Sequence, residues 1–396
     1  MMNKRSVLAS VLALIMLILS IPLSASAMDT EDSAEGFEYL IDEDAGEVEV
    51  TGYAGNKAVL VIPNTIEGLP VTKIGYRAFY RNEMITHITV PESVKSIGTG
   101  AMAMCWYLES VKLSYGLENI GAGAFRNNSF LSEVNIPESV TYIGENAFYG
   151  CSSLKSIHIP ATVQKIEPST EELGMLSGCR SLESVTVDKG NEYYYSINNC
   201  IIDKATNIII AGAVCSTIPR DERITNIGSY AFSECYGLTD VVISGNITTL
   251  SDYSFADCYN LKKVTLLDGV SSIGQYAFRE AGIETLRLTS SVKSIERAAF
   301  YKCSISTVYF EGTPEEWTKI AVGTSNDAIF KANIVFVGNG DIDGDGELSS
   351  ADALLLRMYF SSIITVNDID APSADLNGDG VVNSKDILLL RKKLAG

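Results

Sequence analysis

The chain has 396 residues, a formal net charge of −19 and 46% hydrophobic residues, enough for one large domain plus a small one, or for one extended repeat array that buries its core unit by unit. With 30 basic residues against 49 acidic ones and no basic run, nucleic acid is excluded as a partner, because a phosphate backbone needs a clustered basic face.

The N-terminus carries Lys4 and Arg5, an apolar run from Val7 to Leu19 and the small residues Ala25, Ser26 and Ala27, which predicts a secretory signal peptide over 1–27. Residues 28–36 read as a short linker. The apolar run is shorter than the roughly 20 residues a membrane span needs, so no span is expected after cleavage. An uncleaved anchor is the alternative.

The motif I-G-x-x-A-F then recurs at Ile74–Phe79, Ile120–Phe125, Ile143–Phe148, Ile227–Phe232 and Ile273–Phe278, with weaker copies between them. The residues that open the copies stand at 74, 97, 120, 143, 166, 227, 250, 273 and 295, a period of 23 with one step of 22. So regular a period predicts a solenoid, in which each unit buries its core against its neighbours. Each unit also holds L-x-x-V-x-I, as in Leu131, Val134 and Ile136. Alternation along a strand sends Val134 and Ile136 inward and Glu133 and Asn135 outward. The Ala-Phe pair supplies the aromatic that fills the interior.

Cys105, Cys151, Cys179, Cys235 and Cys258 each lie three residues before a strand-opening leucine, where other units carry Asn82 or Asn128. Exchange of Cys for Asn at one repeat position suits a buried turn filled by reduced thiols, although stacked repeats could bring two sulfurs close enough to bridge. Between Ile166 and Ile227 the repeat is interrupted by a β-rich island at about 167–226 that contains Tyr193, Tyr194 and Tyr195. These tyrosines could stack on a ligand or cover the core of a longer repeat.

These residues resemble the leucine-rich repeats of the BspA-like, Treponema pallidum type surface proteins, over about Phe37 to Val337. The resemblance implies a leucine-rich-repeat solenoid with one parallel strand per ~23-residue unit, closed by atypical end units as repeat arrays require.

From residue 338 the composition changes. Asp341, Asp343, Asp345, Glu347 and Asp352 hold positions 1, 3, 5, 7 and 12 of a loop that runs into an apolar helix, and Asp375, Asn377, Asp379, Val381 and Asp386 hold the same positions 34 residues later. Calcium takes six to eight oxygens, and such a loop supplies them from side chains at 1, 3, 5 and 12, the carbonyl at 7 and a water held at 9, with glycine at 6 for the turn. Two aligned copies predict two Ca2+ ions, with Ser349 and Asn383 holding the waters. No helix before either loop is legible, and aspartate replaces the usual glutamate at position 12.

Residues 338–396 therefore resemble a type I dockerin, the small all-α, duplicated loop-helix module that docks subunits onto cohesin domains of cellulosomal scaffoldins. By that resemblance, cohesin contacts fall on Ser350, Ala351, Arg357 and Met358 in the first copy and on Ser384, Lys385, Arg391 and Lys392 in the second. Near-symmetric dockerins can bind in two orientations. Here Ala351 and Met358 correspond to Lys385 and Lys392, which weakens that symmetry. Leu354 to Leu356 and Leu388 to Leu390 are expected in the core.

Together these readings predict a secreted, non-catalytic binding or adhesion subunit of an extracellular or cell-surface cellulosome-like complex, engaged in plant polysaccharide degradation. Its solenoid ligand, an unidentified protein or polysaccharide, would lie on a face that includes His87, Thr89, His158, Thr186, Arg287 and Tyr309. The alternatives are a carbohydrate-active enzyme or an inhibitor of proteases or glycosidases. Against catalysis, the repeats leave no room for a cleft with paired carboxylates, and His87 and His158 lie about three repeats apart. No nucleophile motif is visible.

Overall fold

The computed structural model describes residues 34–169, 174–213, 218–343, 345, 347–365, 368–378 and 381–395. The expected signal peptide and most of the linker, Cys215, the loop glycines Gly346 and Gly380, and Asp379 lie outside these residues.

The repeats form a β-solenoid of about 12 turns, about 23 residues apart. On one face lie strands such as His87–Thr89, Ser110–Lys112 and Glu133–Val134, paired in parallel, and the face resumes after the island with Asp240–Ile243, Lys263–Leu266, Thr285–Thr289, Thr307–Glu311 and Asn333–Val337. Alternation holds as read: Val134 and Ile136 are buried and Glu133 and Asn135 exposed. Most turns add a second strand of only two residues, such as Ser96–Ile97, Asn119–Ile120 and Tyr142–Ile143, which builds a second parallel sheet. Its isoleucine opens the I-G-x-x-A-F motif.

The motif glycine has a steric cause. A Cβ on Gly121 would come within 2.7 Å of the Gly98 carbonyl carbon, and one on Gly144 within 2.4 Å of the Ala122 nitrogen. At these two positions the turns stack too closely for a side chain without a shift, whereas Ser251 and Glu296 hold the same position in other turns. The x-x of the motif carries the second cost: Arg77, Tyr230, Tyr253 and Tyr276 have φ of 54°, 59°, 57° and 55°. Left-handed backbone costs about 1–2 kcal/mol for such residues. It is offset by a ladder in which Phe79, Phe255 and Phe278 donate their N–H to the carbonyls of Ala101, Ala277 and Ala299 in the next turn, each at 2.7 Å.

Inside, the aromatics stack. Phe232, Phe255, Phe278 and Phe300 form a column with ring centroids 5.2 Å apart, and Phe125 stacks on Phe148 at 5.5 Å. The repeat thiols lie beside this column. The Sγ–H of Cys105, Cys151, Cys258 and Cys303 donates to the carbonyl of Phe79, Phe125, Phe232 and Phe278 in the preceding turn. Burial pushes these four thiols up to about 12. They are neutral fillers, as the Cys-for-Asn exchange predicts.

The island is an antiparallel meander, Tyr194–Ile197, Cys200–Asp203 and Ile208–Gly212, whose last strand pairs in parallel with Asn226–Ile227 and so restarts the two-residue sheet. Of the three tyrosines, Tyr194 is buried and its hydroxyl accepts the Ile166 N–H at 2.8 Å, Tyr195 is half-buried beneath Arg223, and only Tyr193 is exposed, at 44%. The cluster covers core. Asn191 secures the same junction, donating its side-chain amide to the carbonyls of Pro160 and Val163.

The ends are closed by irregular units. An antiparallel hairpin, Phe37–Asp42 with Glu47–Tyr53, covers the first turn. At the other end are helix α1 (Pro314–Thr318), opened by a capping box of Thr313 and Glu316, and helix α2 (Asp327–Lys331), with Trp317 edge-on to Phe310. After Asn333–Val337 come α3 (Ser350–Phe360), the short α4 (Ala371–Ala374) and α5 (Ser384–Leu394), around a core of Ile342, Ala353, Leu356, Ile369, Ala374, Leu376 and Leu390. Among the described residues, no helix is long and apolar enough to cross a membrane.

Candidate calcium and docking site

In the first loop, Asp341, Asp343 and Asp345 bring side-chain oxygens within 4.8 Å of one another. Local turns set this cluster. The Oδ1 of Asp343 accepts the Asp345 N–H at 3.2 Å and the Oδ1 of Asp345 accepts the Glu347 N–H at 2.8 Å. The bond from the Asp345 N–H lowers the pKa of Asp343, but desolvation and the neighbouring carboxylates of Asp345, Asp352 and Asp341 outweigh it and raise the net value. Hard anionic oxygens crowded in this way suit a hard dication. The first loop fits calcium.

Position 12, expected as a ligand, lies outside this cluster of three, and its carboxylate is engaged by the backbone. Asp352 is fully buried, and its Oδ1 accepts the Ile342 N–H at 2.6 Å while its Oδ2 accepts the Ser349 N–H at 2.7 Å. Ser349 in return accepts the Ala351 N–H, so Ser349 and Asp352 form a capping box at the start of α3. In the second copy Asn383 and Asp386 repeat the arrangement at α5: Asp386 is fully buried, with the Asn377 N–H on Oδ1 at 3.2 Å and the Asn383 N–H on Oδ2 at 2.7 Å. The pattern S/N-x-x-D was legible as a cap, and it ties each helix to its loop.

The second loop is described in part. The Oδ1 of Asp375 accepts the Gly378 N–H at 2.9 Å, and the Val381 carbonyl accepts the Asn383 side-chain amide at 2.8 Å. Asp379 lies outside the described residues.

The helices correct the reading of the leucine triplets. Leu356 and Leu390 are fully buried and Leu355 and Leu389 half-buried, but Leu354 and Leu388 are 56% and 55% exposed. A helix turns about 100° per residue, so one of three consecutive residues leaves the core. Ser350, Leu354 and Arg357 consequently share one outward stripe, and Ser384, Leu388 and Arg391 another. Ala351, Lys385, Arg391 and Lys392 are exposed and Met358 half-buried. The short α4 before the second loop has no signal in the sequence, because four residues are too few to show periodicity.

On the solenoid, His87 and His158 lie on separate strands. Each holds a threonine: Thr86 lies 2.9 Å from His87 Nδ1 and Thr186 2.9 Å from His158 Nδ1. Arg287 meets Glu311 at 2.6 Å. These polar side chains stand on the exposed side of the longer strands.

The family profile described as BspA type Leucine rich repeat region, in 6 copies, matches residues 72–208 and 211–322, and that of the Dockerin type I domain matches residues 339–395. No curated protein matches significantly. Among solved structures, a leucine-rich repeat protein from Bacteroides ovatus is 22% identical with a TM-score of 0.52, over 76% of this chain and 70% of that one. One from Eubacterium ventriosum is 17% identical with a TM-score of 0.49, over 76% and 94%. The T. pallidum Leucine Rich Repeat protein is 22% identical with a TM-score of 0.36, over 68% and 87%. The B. ovatus protein shares the solenoid fold.

Proposed function

We propose that this chain, which belongs to the BspA-type leucine-rich repeat family and ends in a type I dockerin domain, is a secreted, non-catalytic binding subunit that joins a cellulosome-like assembly by calcium-dependent docking onto a cohesin. A dockerin implies cohesin binding and the repeats imply protein binding. Both are non-catalytic module types. In this proposal the chain divides into a signal peptide at 1–27, a linker at 28–36, the solenoid at 37–337 and the dockerin at 338–396.

The observation that carries the docking role is the gathering of the Asp341, Asp343 and Asp345 oxygens within 4.8 Å inside the dockerin match. Bound calcium would neutralise this cluster and fix each loop on its helix. Asp341, Asp343, Asp345, Asp352 and the Glu347 carbonyl would hold one ion; Asp375, Asn377, Asp379, Asp386 and the Val381 carbonyl would hold the other. The cohesin would be read by Ser350, Ala351, Arg357 and Met358 and by Ser384, Lys385, Arg391 and Lys392, to which their exposure adds Leu354 and Leu388. The solenoid would carry a protein or plant-cell-wall polymer on its longer strands, where repeat arrays present extended surfaces.

The test is capture of the full chain by a panel of immobilised cohesins, in calcium and in chelator. Capture in calcium, weakened at least ~100-fold by chelator, is the expected result for docking that requires folded loops. Capture that ignores chelator, or none by any cohesin, overturns the reading.

A further inference from the structure

The two loop-helix copies are alike in sequence but not in surroundings. The dockerin sits against the last turns of the solenoid, and the contacts that join them run to the second copy. Within the dockerin, the residues that follow the last strand already lie on the second copy: Gly338 donates its N–H to the Asp375 carbonyl at 2.7 Å, and Gly340 donates to the Ser373 carbonyl at 3.1 Å. At Gly378 in the second loop, φ is +70°, and an added Cβ would meet Val337 Cγ1 at 2.7 Å and Val335 Cγ1 at 2.8 Å. The loop therefore lies directly on strand Asn333–Val337.

At the other end of this copy, Lys393 in the last turn of α5 pairs with Glu311 of strand Thr307–Glu311 at 2.8 Å and donates to the Asn339 carbonyl at 3.1 Å. Glu311 is already held by Arg287, and its side chain is only 14% exposed, so the carboxylate lies between two cations at a half-closed contact. An ion pair there is screened less than an exposed one. Helical spacing puts Lys385, Leu389 and Lys392 on one stripe. Leu389 and Lys392 line a groove of ≈ 710 Å³ whose other wall includes Thr265, Arg287 and Tyr309 of the solenoid. Among the described residues, none of α3 lines it.

We propose that the last turns of the solenoid hold the second copy as a built-in partner, and that the cohesin is therefore taken by the first copy, through α3. This rests on the docking role proposed above. Of the second copy's cohesin-contact residues, Lys392 lines this groove beside the Lys393–Glu311 pair, so a cohesin seated there would meet the solenoid, whereas among the described residues none of Ser350, Ala351, Arg357 and Met358 lines it. The solenoid thus removes the two-fold choice that the duplication offers and sets one orientation of the array on its scaffold.

The experiment measures cohesin capture by the calcium-loaded full chain carrying Arg357→Ala and Met358→Ala together, with and without Glu311→Lys. With Glu311 in place the pair costs at least ~100-fold in affinity, as loss of a central anchor does. With Glu311→Lys, which sets a cation against Lys393, the second copy is released and the cost falls below ~10-fold. Lys393→Glu acts in the same way, and combining it with Glu311→Lys restores the full cost. An equal cost in every background, or a cost below ~10-fold in the otherwise unchanged chain, overturns the proposal. Hydrogen exchange gives a readout that needs no cohesin: Glu311→Lys speeds the α5 amides at least ~10-fold and leaves α3 unchanged. If no cohesin is captured at all, the docking role fails by itself, and exchange in α5 no faster than in α3 overturns the held copy separately.

Discussion

The solenoid and the dockerin are both built by repeating a short unit, yet they close their cores differently. In the solenoid each unit meets a copy of itself on either side, so Phe232, Phe255, Phe278 and Phe300 stack at one spacing and even the buried thiols find the preceding turn's carbonyls. In the dockerin two units face each other, and among the described residues the buried core holds seven apolar side chains beside two buried carboxylates, Asp352 and Asp386. A core that small stabilises little by itself. Repetition in a row supplies apolar contacts, whereas repetition in a pair leaves clustered anions that call for a cation.

The largest expected effect separates the two regions outright. Chelation of the full chain should abolish the helical circular dichroism of α3 and α5, because a loop of crowded carboxylates does not hold without its counter-charge. The thermal transition of the solenoid should stay where it was. If it fell along with the helices, the solenoid would depend on the dockerin and the comparison would break.

A smaller effect should appear in the opposite region. Phe255→Ala empties the middle of a four-ring column and should cost the solenoid about 3–5 kcal/mol in denaturant unfolding. Calcium affinity, followed by titration calorimetry on the same variant, should not change. An altered affinity would mean that strain in the array reaches the loops.

The smallest effect, counted for a single thiol, comes with alkaline pH. Cys105, Cys151, Cys258 and Cys303 are pushed by burial from 9.0 to about 12. Above pH 9 their unfolded thiols lose protons that the folded ones keep, so their contribution is complete below that pH and drains away as pH rises towards 12. Each thiol adds a slope approaching about 1.4 kcal/mol per pH unit. Solenoid stability measured at pH 8 and pH 10.5 should fall accordingly, and Cys258→Ala should make the fall shallower. The dockerin, whose residues 338–396 contain no cysteine, should lack this term; an equal thiol-dependent slope there would contradict the assignment.

Much of this was legible because periodicity records contacts between equivalent residues. The period of 23, the inward Val134 and Ile136, the thiol position and the loop spacing of Asp341, Asp343 and Asp345 could all be read from residue order, since each depends on neighbours at a fixed offset. The second, two-residue strand could not, because alternation needs more residues than Asn119–Ile120 provides. Nor could the motif glycine's role, which comes from the backbone of another turn at 2.7 Å from the position of its missing Cβ.

The dockerin divides along the same line. Its sequence alone determined that two acidic loops run into two helices, because the loop spacing is local. Which leucine of each triplet leaves the core, and that Glu311 and Val337 lie against the second copy rather than the first, depended on how the helices pack and where the last strand ends. Such contacts join residues with no fixed offset between them, so only the tertiary structure could decide them.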